Sequence, residues 1–108
     1  MSRTPYSKYR AKPTYVDGIR FASMKEARRY MELAALQRSR IIKDLKLQER
    51  FALHVKGELI CTYVADFVYT DHDGRPVVED VKGVKTDVYK IKKALFEVIY
   101  APLKITET

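Results

Sequence analysis

Val77-Val78-Glu79-Asp80-Val81-Lys82-Gly83 is a short apolar run carrying an acid and a base two residues apart. Read as a strand, it sends alternate side chains to opposite faces, so Asp80 and Lys82 share one face. Glu79 points to the other and is expected at the solvent or rim. Just upstream, Leu59 to Thr70 reads as a second strand, with Asp66 in a largely apolar and aromatic run. The two are joined by Thr70-Asp71-His72-Asp73-Gly74-Arg75, whose polar residues and Gly74 mark a hairpin turn. A hairpin sets Asp66 and Asp80 on neighbouring strands, within reach of one cation.

The strand of Asp66 predicts two continuous faces. Leu59, Cys61, Tyr63, Ala65, Phe67 and Tyr69 fall on one, and Ile60, Thr62, Val64, Asp66 and Val68 on the other. Both are mostly apolar, which predicts a central strand covered on both sides. Before it, Lys56-Gly57-Glu58 turns the chain, and Ile41 to Val55 has a strand-like period with an irregularity near Gln48-Glu49-Arg50. Gln48 is expected to make a strand-edge hydrogen bond, with the cation site as its alternative. Ser23-Met24-Lys25-Glu26 carries a capping-box signature and opens a helix to about Arg38. On the other side of the Asp80 strand, Gly83 breaks the pattern and Asp87 to Tyr100 reads as a second helix. Val88, Ile91, Leu95 and Val98 or Ile99 recur there at helical spacing, with Lys90, Lys92 and Lys93 elsewhere around it. Ala101-Pro102 stops that helix before a short strand at residues 103–106.

The order α-β-β-β-α-β predicts a single α/β domain, a mixed central sheet flanked by helices, over residues 18–108. Residues 1–17 read as a basic, Tyr-rich arm. Val16-Asp17-Gly18-Ile19-Arg20-Phe21 fits a tight turn between two short extended pieces.

The chain has 108 residues, a net charge of +7 and a single cysteine, Cys61. One cysteine excludes an internal disulfide and a cysteine-based zinc site. No apolar run reaches the roughly 20 residues that cross a bilayer, and the start of the chain lacks the apolar segment of a secretion signal. A cytoplasmic protein with no membrane partner and no small-molecule cofactor is expected. The positive charge points to a polyanion, most readily nucleic acid. Arg10, Lys12 and Arg20 with the tyrosines of the arm, and Lys85, Lys90 and Lys93, are the candidate phosphate contacts.

Asp66 on one strand and Asp80-Val81-Lys82 on the next, in this order of elements, resemble the PD-(D/E)XK nuclease superfamily. Phe21-Ala22-Ser23-Met24-Lys25-Glu26-Ala27, Asp44-Leu45-Lys46-Leu47-Gln48 and Tyr63-Val64-Ala65-Asp66-Phe67 extend the resemblance toward a family of small phage and prophage endonucleases, similar to junction resolvases. Ala65 stands where the motif's name has Pro. The resemblance implies a restriction-endonuclease-like core and a metal-dependent DNA endonuclease of phage or prophage DNA processing in a bacterial host. It further implies Mg²⁺ (or Mn²⁺) held by Asp66 and Asp80, Lys82 orienting the attacking water, and Glu26 as a further ligand or base. So small a chain favours branched or junction DNA over a sequence-read site, and two-strand cutting favours a homodimer. Plainer readings stand beside each of these. Asp66 and Lys82 make a cross-strand ion pair, Glu26 caps its helix, and the protein is a non-catalytic nucleic-acid binder.

Overall fold

The computed structural model describes residues 13–108. Arg10 and Lys12 lie outside the described residues. The chain begins with a small hairpin of β1 (Thr14–Val16) and β2 (Ile19–Phe21), closed by Asp17 and Gly18, both at positive φ. Helix α1 (Met24–Arg38) follows, its first turn capped by Ser23 Oγ, which accepts the Glu26 amide at 3.2 Å. Strands β3 (Lys43–Val55) and β4 (Glu58–Thr70) form a long hairpin around Lys56-Gly57. Both turn residues sit at positive φ, the two-residue geometry that matches strand twist. Asp71 Oδ1 accepts the amides of Asp73 and Arg75 and turns the chain into β5 (Pro76–Asp80). Helix α2 (Asp87–Ile99), capped by Thr86, and β6 (Ile105–Glu107) complete the chain.

One mixed sheet runs in the order β3-β4-β5-β6, antiparallel except for the parallel β5–β6 pair. A helix covers each of its two apolar clusters. Ala27 and Leu33 of α1 pack with Phe21, Ile42, Phe67 and Tyr69, while Tyr89 and Phe96 of α2 pack with Leu53, Tyr63, Ala65, Val78 and Ile105. No helix among the described residues is long and apolar enough to cross a membrane.

Two expectations from periodicity fail, each for a physical reason. The odd-numbered residues of β4 do not form one face, because Tyr63 and Ala65 pack under α2 whereas Phe67 and Tyr69 pack under α1. β3 makes the same change: Phe51 and Leu53 join the α2 cluster, and Leu45 and Leu47 the α1 cluster. The pivot is Gln48 at φ 54°, which with Asp66 opposite it drops out of the strand register. A left-handed residue rotates the strand, so alternation restarts on the other face. The second failure concerns α2. Leu95 and Ile99 of the periodic set do pack against the core, but Val88, Ile91 and Val98 are 63%, 66% and 77% exposed, and Tyr89 and Phe96 occupy the interior instead. The helix is apolar on two sides, and the larger aromatic surfaces take the inner one.

Candidate active site

β5 pairs with β4 only over Phe67–Thr70, so the two strands part at the level of Asp66 and Asp80. At the fork a carboxylate replaces the ladder, with Asp66 Oδ2 accepting the Val81 amide at 2.8 Å. Farther along the freed edge of β4, Lys92 Nζ donates to the Thr62 carbonyl at 2.9 Å. The gap between β4 and α2 is a cleft of about 240 Å³, reached by Tyr63, Asp80, Lys82, Val88, Tyr89 and Lys92.

Asp80 is 2% exposed at the floor of this fork. The Tyr63 hydroxyl donates to its Oδ2 at 2.5 Å, and Lys82 Nζ stands 3.3 Å from its Oδ1. Burial first, then a proton shared with Asp66, push the Asp80 carboxyl up to about 7, against the opposing pull of Tyr63 and Lys82. Lys82 is held from both sides, by Asp80 and by the Tyr89 ring 4.0 Å beneath its amine. Its main chain is fixed as well. Its amide donates to the Thr108 carbonyl at 3.1 Å, and its carbonyl accepts Lys25 Nζ at 2.9 Å. Burial and the hydroxyl bond to Asp80 raise the Tyr63 pKa far above its ordinary value, so it stays a donor.

Glu26, 9% exposed in the first turn of α1, enters from the other side of the sheet. The Gln48 amide donates to both Glu26 Oε2 and Asp66 Oδ1, 3.3 Å from each. Burial, then the charge of Asp66, raise the Glu26 pKa. Gln48, one of two left-handed residues in β3 with Asp44, is therefore the one that links the two acids, the kind of place where backbone strain accompanies function.

Asp66, Asp80 and Lys82 are thus brought together as expected, and Glu26 lies one amide away. Gln48 turns its side chain to Glu26 and Asp66 rather than making a strand-edge hydrogen bond. The plainer alternative, an Asp66–Lys82 ion pair, is not formed, since Lys82, two residues past the end of β5, pairs with Asp80. Glu79 is corrected outright. It is fully buried, with Arg29 Nε and Nη2 at 2.5 and 3.0 Å and the Tyr69 hydroxyl at 2.7 Å. Tyr63 and Tyr89 were not readable as site residues, because strand alternation sets Tyr63 on the face opposite Asp66 until the pivot at Gln48 is known.

The basic candidates divide. Lys90 and Arg20 are exposed, whereas Lys85 and Lys93 are engaged by Glu107 at 2.9 and 3.8 Å. The Tyr89 hydroxyl first, then these lysines, hold the Glu107 carboxyl down at about 2. Lys25 and Arg28, exposed beside Val81 and Thr108, form a basic lip that the sequence reading missed.

Among the described residues no three His, Cys, Asp or Glu side chains converge on a ready-made metal cage. A hard divalent ion such as Mg²⁺ asks for less: oxygen donors from one or two carboxylates, the remainder coming from water and substrate phosphate. The neighbouring Asp66 and Asp80 carboxylates are such a donor set, and a cation between them would relieve the repulsion that lifts Asp80.

The family described as "Protein of unknown function (DUF1064)" matches residues 6–108, and the chain belongs to that family. No curated protein matches the chain. No solved structure matches it either.

Proposed function

We propose that this protein is a divalent-cation-dependent endonuclease that hydrolyses phosphodiester bonds in DNA, with branched or junction DNA as its substrate. One observation carries the reading: the buried Asp80 carboxylate stands beside the half-buried Asp66 carboxylate, with a lysine amine 3.3 Å from Asp80. A folding role alone would not favour this set, because burying Asp80 beside a second carboxylate opposes folding. Asp66 and Asp80 would hold Mg²⁺ or Mn²⁺, with Glu26 reaching the same centre through Gln48. When bound, such an ion supplies charge for a phosphoryl oxygen and lowers the pKa of water.

The rest is the work of the chain's own groups. Tyr63 donates to Asp80 Oδ2 and fixes that carboxylate's rotation. Lys82, steadied over Tyr89, points its amine into the cleft, where it can orient a water and offset charge as it grows on the phosphate. The Val81 amide holds Asp66 in place, so little reorganisation is needed. Lys25 and Arg28 on one lip and Lys90 on the other can take flanking phosphates. The reading places the protein beside DNA in the bacterial cytoplasm, in phage or prophage DNA processing. Cutting two strands calls for two such centres, hence a homodimer.

The test is a Mg²⁺ and Mn²⁺ titration with supercoiled, linear and four-way-junction DNA. Cation-dependent cleavage, strongest on the junction, is expected, and the Asp80→Asn protein should bind DNA without cutting it. Salt-dependent binding with no cleavage under either ion would replace the enzyme with a nucleic-acid-binding protein.

A further inference from the structure

The long hairpin of β3 and β4 runs on past Gln48 and Asp66, and only one of its faces is packed there. Phe51 and Leu53 of β3, with Tyr63 and Ala65 of β4, turn to α2. Arg50, Ala52 and His54, and across from them Val64, Thr62 and Leu59, therefore point the other way. Helix α1 lies on that second side, but its cluster takes in Leu45, Leu47, Phe67 and Tyr69, on the far side of Gln48 and Asp66. None of the six outward residues joins either apolar cluster, and Arg50, His54 and Leu59 are exposed. The result is an open sheet face that begins at Asp66 and ends at the Lys56-Gly57 turn.

We infer that this face carries the sugar-phosphate backbone of a duplex DNA arm beside the cut, with Arg50 as the phosphate contact nearest Asp66. The inference rests on the reading of Asp66 and Asp80 as a centre acting on DNA, and it names the form of DNA that reaches it. Charge complementarity argues for this occupant. Arg50 is in no ion pair among the described residues. The acids beside it in the hairpin, Glu49 and Glu58, stand across from Ala65 and Val55 and so belong to the opposite face. Among the described residues the open face thus has no acid between Asp66 and the turn. Arg50 stands directly across from Val64, two residues from Asp66. That is about 7 Å along the strand, or roughly two phosphates of one DNA strand at about 3.4 Å of rise each.

The aromatic rings decide between duplex and single strand. Single-stranded nucleic acid is held by bases stacked on aromatic side chains. Phe51 and Tyr63, the rings of this part of the hairpin, are committed to each other and to Phe96 under α2. What the open face offers is a guanidinium among small and aliphatic side chains. Such a surface follows a backbone whose bases stay paired, and it reads no sequence.

Fluorescence anisotropy of the full chain in EDTA, where no cation supports cutting, tests this with a blunt duplex and a single strand of one sequence. Wild type should bind the duplex with a steep salt dependence. Arg50→Ala should weaken that binding several-fold and reduce the log–log salt slope by about 0.9, the share of one duplex phosphate. Arg50→Lys should keep the slope. Lys46→Ala loses the same charge across from Val68, on the α2 side of the same strand, and should leave the slope unchanged. All three proteins should keep the wild-type circular-dichroism spectrum, because Lys46 and Arg50 are exposed. A wild-type slope in Arg50→Ala would overturn the inference even in a protein that cuts DNA. An equal fall in Lys46→Ala would overturn the assigned face, and a larger loss on the single strand would overturn the duplex. A slope reduced by Arg50→Ala in a protein that cuts nothing under Mg²⁺ or Mn²⁺ would keep the binding face and remove the nuclease. No duplex binding by wild type at low salt would overturn both together.

Discussion

Glu79 and Asp80 are consecutive, both carboxylates and both buried, yet their surroundings are opposite. Glu79 meets Arg29 through two guanidinium nitrogens and also takes the Tyr69 hydroxyl. Its charge is matched, and Arg29, three residues after Glu26, ties α1 to β5. Asp80 has a hydroxyl and a half-buried amine but also faces Asp66, so its charge is opposed as well as matched. Burial of an acid is therefore no guide to its role. What separates a clasp from a site is whether the neighbours complete the charge or leave it in surplus.

Breaking the clasp should have the largest effect. Arg29→Ala leaves Glu79 buried without a counter-charge and should cost about 3–5 kcal/mol in denaturant unfolding. Glu79→Gln with Arg29→Met should recover much of that loss. If the single change costs no more than a surface substitution, Glu79 and Asp80 do not differ as argued. Next comes the site itself. Asp80→Asn should lower cation-dependent cleavage by roughly 10²–10³-fold, the scale for removing one group that supports charge in a transition state, while the fold persists. Unchanged single-turnover rates would take Asp80 out of the site.

The pH dependence sharpens the contrast further. Asp80 is raised from 3.8 to about 7, so the folded protein binds its proton more tightly than the unfolded chain does. The resulting penalty is absent at low pH, grows as pH rises from about 4 to about 7, and is complete above that. Wild type should therefore lose stability between pH 5 and pH 8 relative to Asp80→Asn, on the order of 2 kcal/mol or several degrees in Tm. Mg²⁺ should restore part of it in wild type alone. Parallel melting curves for the two proteins across that range would contradict the assignment. The smallest effect belongs to Glu26. Glu26→Gln leaves the Ser23 cap in place, because the cap uses the residue 26 amide. Tm should move by less than ~0.5 kcal/mol equivalent, while cleavage falls about 10-fold, the lower end for a residue that supports a metal ligand. Normal turnover would leave Asp66, Asp80 and Lys82 as the centre, with Glu26 a cap.

Much of what neighbours in sequence set was legible in advance. The turn at residues 70–75 made Asp66 and Asp80 adjacent because a tight hairpin admits few registers. Ser23 at the head of α1, the end of α2 near Pro102 and the order of elements follow from capping and helix-breaking chemistry of the same local kind. Tertiary structure decided what depends on distant contacts. Alternation along β4 presumes an unbroken strand, and one left-handed residue on the neighbouring strand, Gln48, reverses it and delivers Tyr63 to Asp80. The destination of Glu79 depended on Arg29, fifty residues away, which no periodicity reports. For α2, the sequence determined that the helix has an apolar stripe at heptad-like spacing. Only competition for the sheet decided that Tyr89 and Phe96, with more surface to bury, would turn inward and leave Val88, Ile91 and Val98 outside.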